Sequence, residues 1–138
     1  MSLLFQSPGW FPVAVQALVV IAGTEGRCSS HTMAQDLKTH AVFVRRVMTQ
    51  LVRTNIVQAR EGRDGGYRLA RSAEHITLAE VYQAVKVAEP QEDVTDSNGV
   101  NARVQTILDE VGAEAEQHLI EALEHLTLAS VLERLKTL

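Results

Sequence analysis

The sequence predicts a mainly α-helical fold that contains one small β-hairpin. Two helical patterns lie a few residues apart, one that opens at a serine pair and ends near Leu37, and a longer one from about Ala41 to Asn55. Two β-prone runs follow, Ile56–Arg60 and Tyr67–Leu69, and the glycines between them can adopt the positive φ that a tight hairpin needs. Helix, helix and hairpin in this order are typical of a winged helix-turn-helix.

The first helix is expected from about Pro12 to Gly23, because proline is tolerated in a first helical turn. Its apolar positions would pack under the two later helices, and they are Val13, Ala17, Val20 and Ile21. Trp10 and Phe11 lie just upstream of this helix. We interpret these two aromatic residues as a hydrophobic lid on the core or as part of a dimer contact.

The second helix is expected to open at Ser29 or Ser30, since either hydroxyl could accept a backbone hydrogen bond as the cap. Thr39 then makes the turn, and His40 is expected at the N-cap of the third helix, as a cap or as a phosphate contact. His31 is near in sequence, but no cysteine or acidic pair at ligand spacing joins the two histidines. No metal site is therefore predicted.

The third helix has two distinct faces. Its inward positions recur at three- and four-residue spacing, and they are Val44, Val47, Met48, Leu51 and Val52. The outward face follows by subtraction and contains Val42, Arg45, Arg46, Thr49, Gln50 and Arg53. A helix of this kind buries one side in its own domain and presents the other side to a partner.

A fourth helix is expected from Leu78 to about Val87. Thr77 and Glu80 have the spacing of a capping box, and the helix should pack back on the first helix. Residues 88–101 then lose all apolar periodicity and collect proline, aspartate, asparagine and glycine. This composition predicts a loop or linker.

The helical pattern returns from Ala102 to Leu126, which would span roughly 38 Å at 1.5 Å per residue. Since a small domain does not require so long a helix, its apolar positions are expected at a dimer interface: Val104, Ile107, Leu108, Val111, Leu119 and Leu123. The alternative is a helix that folds back on its own domain. Thr127 would cap a final short helix over 128–135.

Together these stretches resemble the Rrf-two family of bacterial winged-helix transcription regulators. The likeness runs from about Val13 to Leu135, and its most specific pieces are the Arg45–Arg46 pair, the wing sequence GGYRL and the ITL that opens the fourth helix. The resemblance implies a DNA-binding domain at 8–87, a linker at 88–101 and a C-terminal dimerisation region at 102–138. It also implies a homodimer on double-stranded DNA.

The charge distribution favours the same partner. The net charge is −4, but residues 27–71 hold nine basic and three acidic residues, or +6, while the rest of the chain carries −10. A basic block within an acidic protein is typical of a surface that meets a polyanion.

Individual DNA contacts can be assigned from the expected geometry. The first half of a recognition helix enters the major groove, where the planar guanidinium of arginine matches guanine. The wing tip, with Arg63, would enter the narrow minor groove. Residues further along the helix would reach phosphates. The DNA-binding candidates are Ser30, His40, Val42, Arg45, Arg46, Thr49, Gln50, Arg53, Arg63 and Arg68.

The resemblance also raises the question of a cofactor. Iron–sulfur sensors of the family ligate a cluster with three cysteines in the segment that corresponds to 88–101, and this segment has none here. The sole thiol, Cys28, precedes the second helix and is either a redox switch or a small buried residue. No cofactor is therefore predicted.

The leading interpretation is a homodimeric, sequence-specific DNA-binding regulator that represses by occupying a promoter. The alternative is a winged-helix protein-interaction module whose basic face docks an acidic partner. No enzyme is expected, because no nucleophile with a base and no paired carboxylates appear at a usable spacing. The single cysteine and the short apolar run near the start fit a cytoplasmic protein without a membrane segment. An unknown small-molecule effector stays open.

Overall fold

The computed structural model describes residues 9–87 and 99–138 and confirms a mostly helical fold with one two-stranded antiparallel hairpin. The elements are α1 (Trp10–Ala22), α2 (Ser30–Leu37), α3 (Ala41–Arg53), β1 (Val57–Arg60), β2 (Gly66–Leu69), α4 (Leu78–Lys86), α5 (Val100–Glu124) and α6 (Leu128–Leu135), with a 3₁₀ turn at Ala73–His75. Most of the expected linker lies outside the described residues. Among those that are described, no helix has the length and apolarity that a membrane span requires.

The first helix begins two residues earlier than expected. Trp10 and Phe11 form its first turn, and Pro12 follows at a position where a helix has no backbone bond to lose. Phe11 is buried, and its ring packs edge-to-face with that of Tyr82, with the ring centroids 5.5 Å apart. Trp10 packs in the same way with Phe43, also at 5.5 Å between centroids. The expected position of Trp10 and Phe11 upstream of the helix is therefore wrong, whereas their packing on the core is confirmed.

The connection between α2 and α3 is a tight turn. Ser29 caps α2 by accepting a hydrogen bond from Thr32 N at 3.1 Å, so the cap is Ser29 and not Ser30. Lys38 takes a left-handed conformation with φ 53°, and Thr39 N donates to Ala34 O at 3.0 Å. This turn sets the angle between the two helices and places α3 on the surface.

The inner face of α3 forms the centre of the core. Val44, Val47, Met48 and Leu51 are all fully buried, as their spacing predicted. Val52 is 36% exposed, so its assignment to this face is wrong. At 100° per residue, Val52 lies beyond the edge of the stripe that the other four residues define.

The start of α4 is held by a confirmed capping box. The Thr77 hydroxyl accepts from Glu80 N at 3.2 Å, and the Glu80 carboxylate accepts from Thr77 N at 2.9 Å. Arg71 donates to the same carboxylate at 3.0 Å and to His75 O at 2.6 Å. Arg71 thus ties the hairpin to α4 and is neutralised within the protein.

The C-terminal segment returns to the winged domain. Leu123 and Leu128 enter the core, Leu78 N donates to Leu126 O, and Leu128 N donates to Ile76 O, both at 2.8 Å. Thr127 caps α6 through a capping box with Ser130. The end of α5 and α6 therefore pack with the winged domain, and the division of the chain at residue 102 stays a prediction.

Glu80 predicts a pH dependence of stability. Partial burial raises the pKa of its carboxyl, but hydrogen bonds from Thr77 and Arg71 outweigh burial and lower that pKa below 4.5. The carboxylate therefore stabilises the fold above pH 4.5, and this contribution is lost as pH falls through the folded pKa. We expect Glu80→Gln to lower the free energy of unfolding at neutral pH and to differ less from wild type in acid.

Urea denaturation at neutral pH and well below pH 4.5 measures this difference. Glu133→Gln is the matched control, since Glu133 forms an exposed pair with Lys136 and should change stability little at either pH. An effect of Glu80→Gln that is the same at both pH values would contradict the assignment.

Candidate nucleic-acid interface

The outer face of α3 is polar and exposed to solvent. Arg45, Arg46, Thr49 and Arg53 are exposed on it, and Val42 is 54% exposed near its start. Gln50 is half-buried at the edge of the face. The four fully buried positions of α3 lie on the other side, so the core itself determines which residues point outward.

The guanidinium groups on this face are not neutralised within the described part of the chain. The ion pairs found there are Arg71 with Glu80, Lys86 with Glu116, and Lys136 with Glu133. Arg45, Arg46 and Arg53 belong to none of them. Each therefore keeps its donors and its charge for an external anion.

Two polar candidates have specific local roles. The Thr49 hydroxyl donates to Arg45 O at 2.8 Å, which uses its proton within the helix and leaves its methyl group and its lone pairs to face outward. His40 stands at the N-cap position of α3, is exposed and makes no side-chain cap bond. The placement of His40 at the N-cap is therefore confirmed, but its side chain does not act as the cap, and the phosphate interpretation stays a proposal.

The wing is a short hairpin whose position depends on Gly66. Strands β1 and β2 pair Val57 with Leu69 at one end and Arg60 with Gly66 at the other. Tyr67 also pairs with Cys28, through mutual backbone hydrogen bonds of 2.9 and 2.8 Å. A Cβ at Gly66 would lie 2.8 Å from Cys28 O, and Gly66 has φ +132°, so only glycine allows this approach without strain.

The wing and the start of α2 enclose a shallow depression of about 360 Å³. Ser30, Arg60 and Arg63 line it together with the glycines of the turn. Arg63 is exposed at the tip, and Arg68 lies on β2, where its Nε donates to Gln58 Oε1 at 3.0 Å. The structure thus brings Ser30 close to the wing, which the sequence alone did not indicate.

Tyr67 connects the wing with α3. Burial raises the pKa of its hydroxyl, while the positive charge of Arg45 nearby opposes that rise. The influence of Arg45 on Tyr67 means that the outer face of α3 and the hairpin are neighbours.

Cys28 lies behind the wing and not on its surface. Its side chain is 2% exposed, and burial raises the pKa of its thiol. Because the thiolate is the reactive form, these surroundings oppose the redox interpretation of Cys28.

Sequence reasoning missed two features of the interface. Arg27 was counted in the basic block but not as a site residue, and its Nη1 donates to Gly66 O at 3.3 Å. The start of α2 also meets the wing glycines in space, although no helix start follows them in sequence. Both depend on the pairing of Cys28 with Tyr67, and a one-residue bridge leaves no periodic signal.

The expected dimer residues divide into two groups. Val104, Ile107, Leu108 and Val111 are 48%, 59%, 56% and 57% exposed along one stripe of α5. Leu123 is instead buried in the core of its own chain, and Leu119 packs against that core. The C-terminal part of α5 does fold back on its own domain, as the alternative supposed.

A helix-turn-helix with an outward-facing basic helix and an adjoining wing defines a winged-helix DNA-binding protein. A family model confirms this class. The chain belongs to the Rrf2 family, described as iron-dependent transcriptional regulators, and the match covers residues 10–134.

Individual relatives agree with the family. YwnA of Bacillus subtilis (strain 168), a candidate HTH-type transcriptional regulator, is 29% identical over 127 residues that cover 89% of this chain and 94% of YwnA. A crystal structure of a candidate DNA-binding protein is 27% identical with a TM-score of 0.69 and covers 90% of this chain and 99% of that one. CymR, the global cysteine regulator of B. subtilis, has the same fold at 18% identity and a TM-score of 0.67, with 94% and 97% of the two chains covered.

The family is described as iron-dependent, but the residues of this chain do not fit an iron–sulfur cluster. A cluster needs several thiolate ligands, and the full sequence has one cysteine, which is buried behind the wing. The described residues also contain no group of three histidine, cysteine or acidic side chains that could hold a metal.

Gly66 supplies a direct test of the wing geometry. Gly66→Ala should lower the free energy of unfolding by about 1–3 kcal/mol, because the new Cβ meets the Cys28 carbonyl in a strained conformation. Gly112→Ala is the control, since no atom lies within 4 Å of a Cβ there and alanine should stabilise α5 by about 0.5–1 kcal/mol. Thermal unfolding of both variants measures the difference. Equal melting temperatures for the two variants would contradict the close approach.

Proposed function

We propose that this member of the family is a homodimeric, sequence-specific DNA-binding repressor that acts by occupying a promoter. The observation that carries this proposal is the exposure of Arg45, Arg46 and Arg53 on α3. None of them has a carboxylate partner among the described residues. Such exposed charges attract an external polyanion. Duplex DNA matches both their spacing along a helix and the wing beside it.

Each part of the surface has its own role in this proposal. Val42, Arg45, Arg46 and Thr49 face base edges in the major groove, where an arginine fork can meet O6 and N7 of guanine. Ser30, His40, Gln50, Arg53 and Arg68 contact phosphates, and Arg63 enters the minor groove. The phosphate contacts supply affinity, and the α3 contacts supply sequence selectivity.

The exposed stripe on α5 supports the homodimer. Four large apolar side chains at positions 104, 107, 108 and 111 face solvent along one side of the helix. An apolar stripe of this kind on a protein surface is stabilised when a second surface covers it. A two-fold pair joined here would set two α3 helices on successive major-groove turns.

The proposal assigns no chemical step to the protein. The relatives are regulators, and we infer that this chain likewise acts by binding, in the cytoplasm where its DNA lies. A small-molecule effector would change the affinity for DNA without reaction.

Selection of bound sequences from a random duplex pool tests the proposal, followed by titration of the enriched sequence. Arg45→Ala with Arg46→Ala should reduce affinity for that sequence roughly 30-fold or more, because each guanine contact contributes about 1–3 kcal/mol. The wild-type affinity should also fall steeply with salt. Arg134→Ala, an exposed arginine on α6, serves as the control and should bind like wild type. If no sequence is enriched, or if the double variant binds equally well, the surface instead docks another kind of partner.

The dimer has its own test. Ile107→Glu places a carboxylate in the exposed apolar stripe and should convert the dimer to a monomer in analytical ultracentrifugation, because an unpaired charge opposes burial there. Thr106→Glu adds the same charge one residue away on the opposite side of α5 and should leave the dimer intact. A protein that is monomeric without substitution, or an Ile107→Glu variant that stays dimeric, would overturn the assignment.

A further inference from the structure

The segment before α2 joins the wing through one antiparallel bridge, between Cys28 and Tyr67. Cys28 and Tyr67 exchange both backbone hydrogen bonds, so they are a hydrogen-bonded antiparallel pair. The residues on either side of such a pair form the next, non-hydrogen-bonded pair, whose side chains lie closer together. Extending this register by one residue aligns Arg27 with Arg68, and the charge of Arg68 does act on Arg27.

A third arginine joins these two on the same face. Arg68 pairs with Gln58 across the hairpin, and Arg60 is two residues beyond Gln58 on the same strand. Side chains two residues apart on a strand share one face, so Arg60 and Arg68 point to the same side. Arg60 pairs with Gly66, which has no side chain. Arg27 Nη1 donates a hydrogen bond to the carbonyl oxygen of the same glycine.

This row of Arg27, Arg60 and Arg68 is electrostatically unfavourable in the free protein. Like charges that face each other across strands are destabilising. Desolvation lowers the pKa of Arg27, and the charges of Arg68 and Arg60 lower it further. None of the three arginines takes part in an ion pair within the described residues.

We propose that this arginine row is a second DNA contact, which binds backbone phosphates on the face of the hairpin opposite Tyr67. The inference rests on the proposed function and adds Arg27 and Arg60 to it. Phosphates spaced along a strand can neutralise a row of cations that the protein itself leaves unpaired. Because phosphates are the same in every sequence, the row contributes affinity and not selectivity.

The alternative role for Arg27 is structural, since its hydrogen bond to Gly66 O could simply fasten the wing. The two roles predict opposite effects on stability. Arg27→Gln removes the charge, so relief of repulsion should leave the melting temperature of the free protein unchanged or higher. If Arg27 were only a fastener, the same change would lower the melting temperature.

DNA titrations across a range of salt concentrations provide the functional test. Loss of one phosphate contact should reduce the slope of log affinity against log salt by about 0.9. Arg27→Gln should therefore lose affinity for DNA relative to wild type, and this loss should be about threefold larger at low salt than at a fourfold higher salt concentration. The selected sequence and an unrelated duplex should show the same loss. Arg27→Lys keeps the charge and should retain the wild-type slope. Arg134→Gln is the control on α6.

The outcomes separate the two proposals. If wild type binds the selected duplex but Arg27→Gln has the same salt slope, or has a lower melting temperature with unchanged affinity, the arginine row is not a phosphate contact. If wild type binds no duplex at all, the proposed function itself fails. A reduced slope, an unchanged or higher melting temperature and rescue by lysine would establish the contact.

Discussion

The burial of one side of α3 is the constraint on which the rest of the molecule depends. Val44, Val47, Met48 and Leu51 are inaccessible to solvent, and a helix with 3.6 residues per turn that fixes four such positions has no rotational freedom left. The outward direction of Arg45 and Arg46 is thus a consequence of core packing. The capped α2 and its left-handed turn then hold that face beside the wing.

The distribution of charge determines which side of the protein attracts a polyanion. The basic residues of the block at 27–71 that form no ion pair with another described residue lie on α3, on the wing, on the segment before α2 and, for Lys38, on the turn after α2, whereas Arg71 is held by Glu80. The described C-terminal residues 99–138 hold seven acidic and three basic residues. A polyanion is therefore attracted to one part of the protein and repelled by another, which orients it before contact.

Local patterns allowed much of this arrangement to be predicted. The faces of α3, the hairpin, the capping box at Thr77 and the cap at Thr127 depend on residues close in sequence, and their periodic or fixed spacing is visible without a structure. Val52 and the start of α1 were misassigned because edge positions depend on what packs next to them. The return of α6 and the pairing of Cys28 with Tyr67 join distant residues, so neither the inward position of Leu123 nor the position of Arg27 could be derived from spacing.

We propose that α3, the wing and the segment before α2 together contact duplex DNA. NMR amide shifts of the isotope-labelled protein, recorded as the selected duplex is added, test it most directly. The account predicts that the large shifts fall on 27–30, 40–53 and 58–68, with little change along 112–135. Shifts spread over α5 and α6, or confined to residues outside the basic surface, would contradict it.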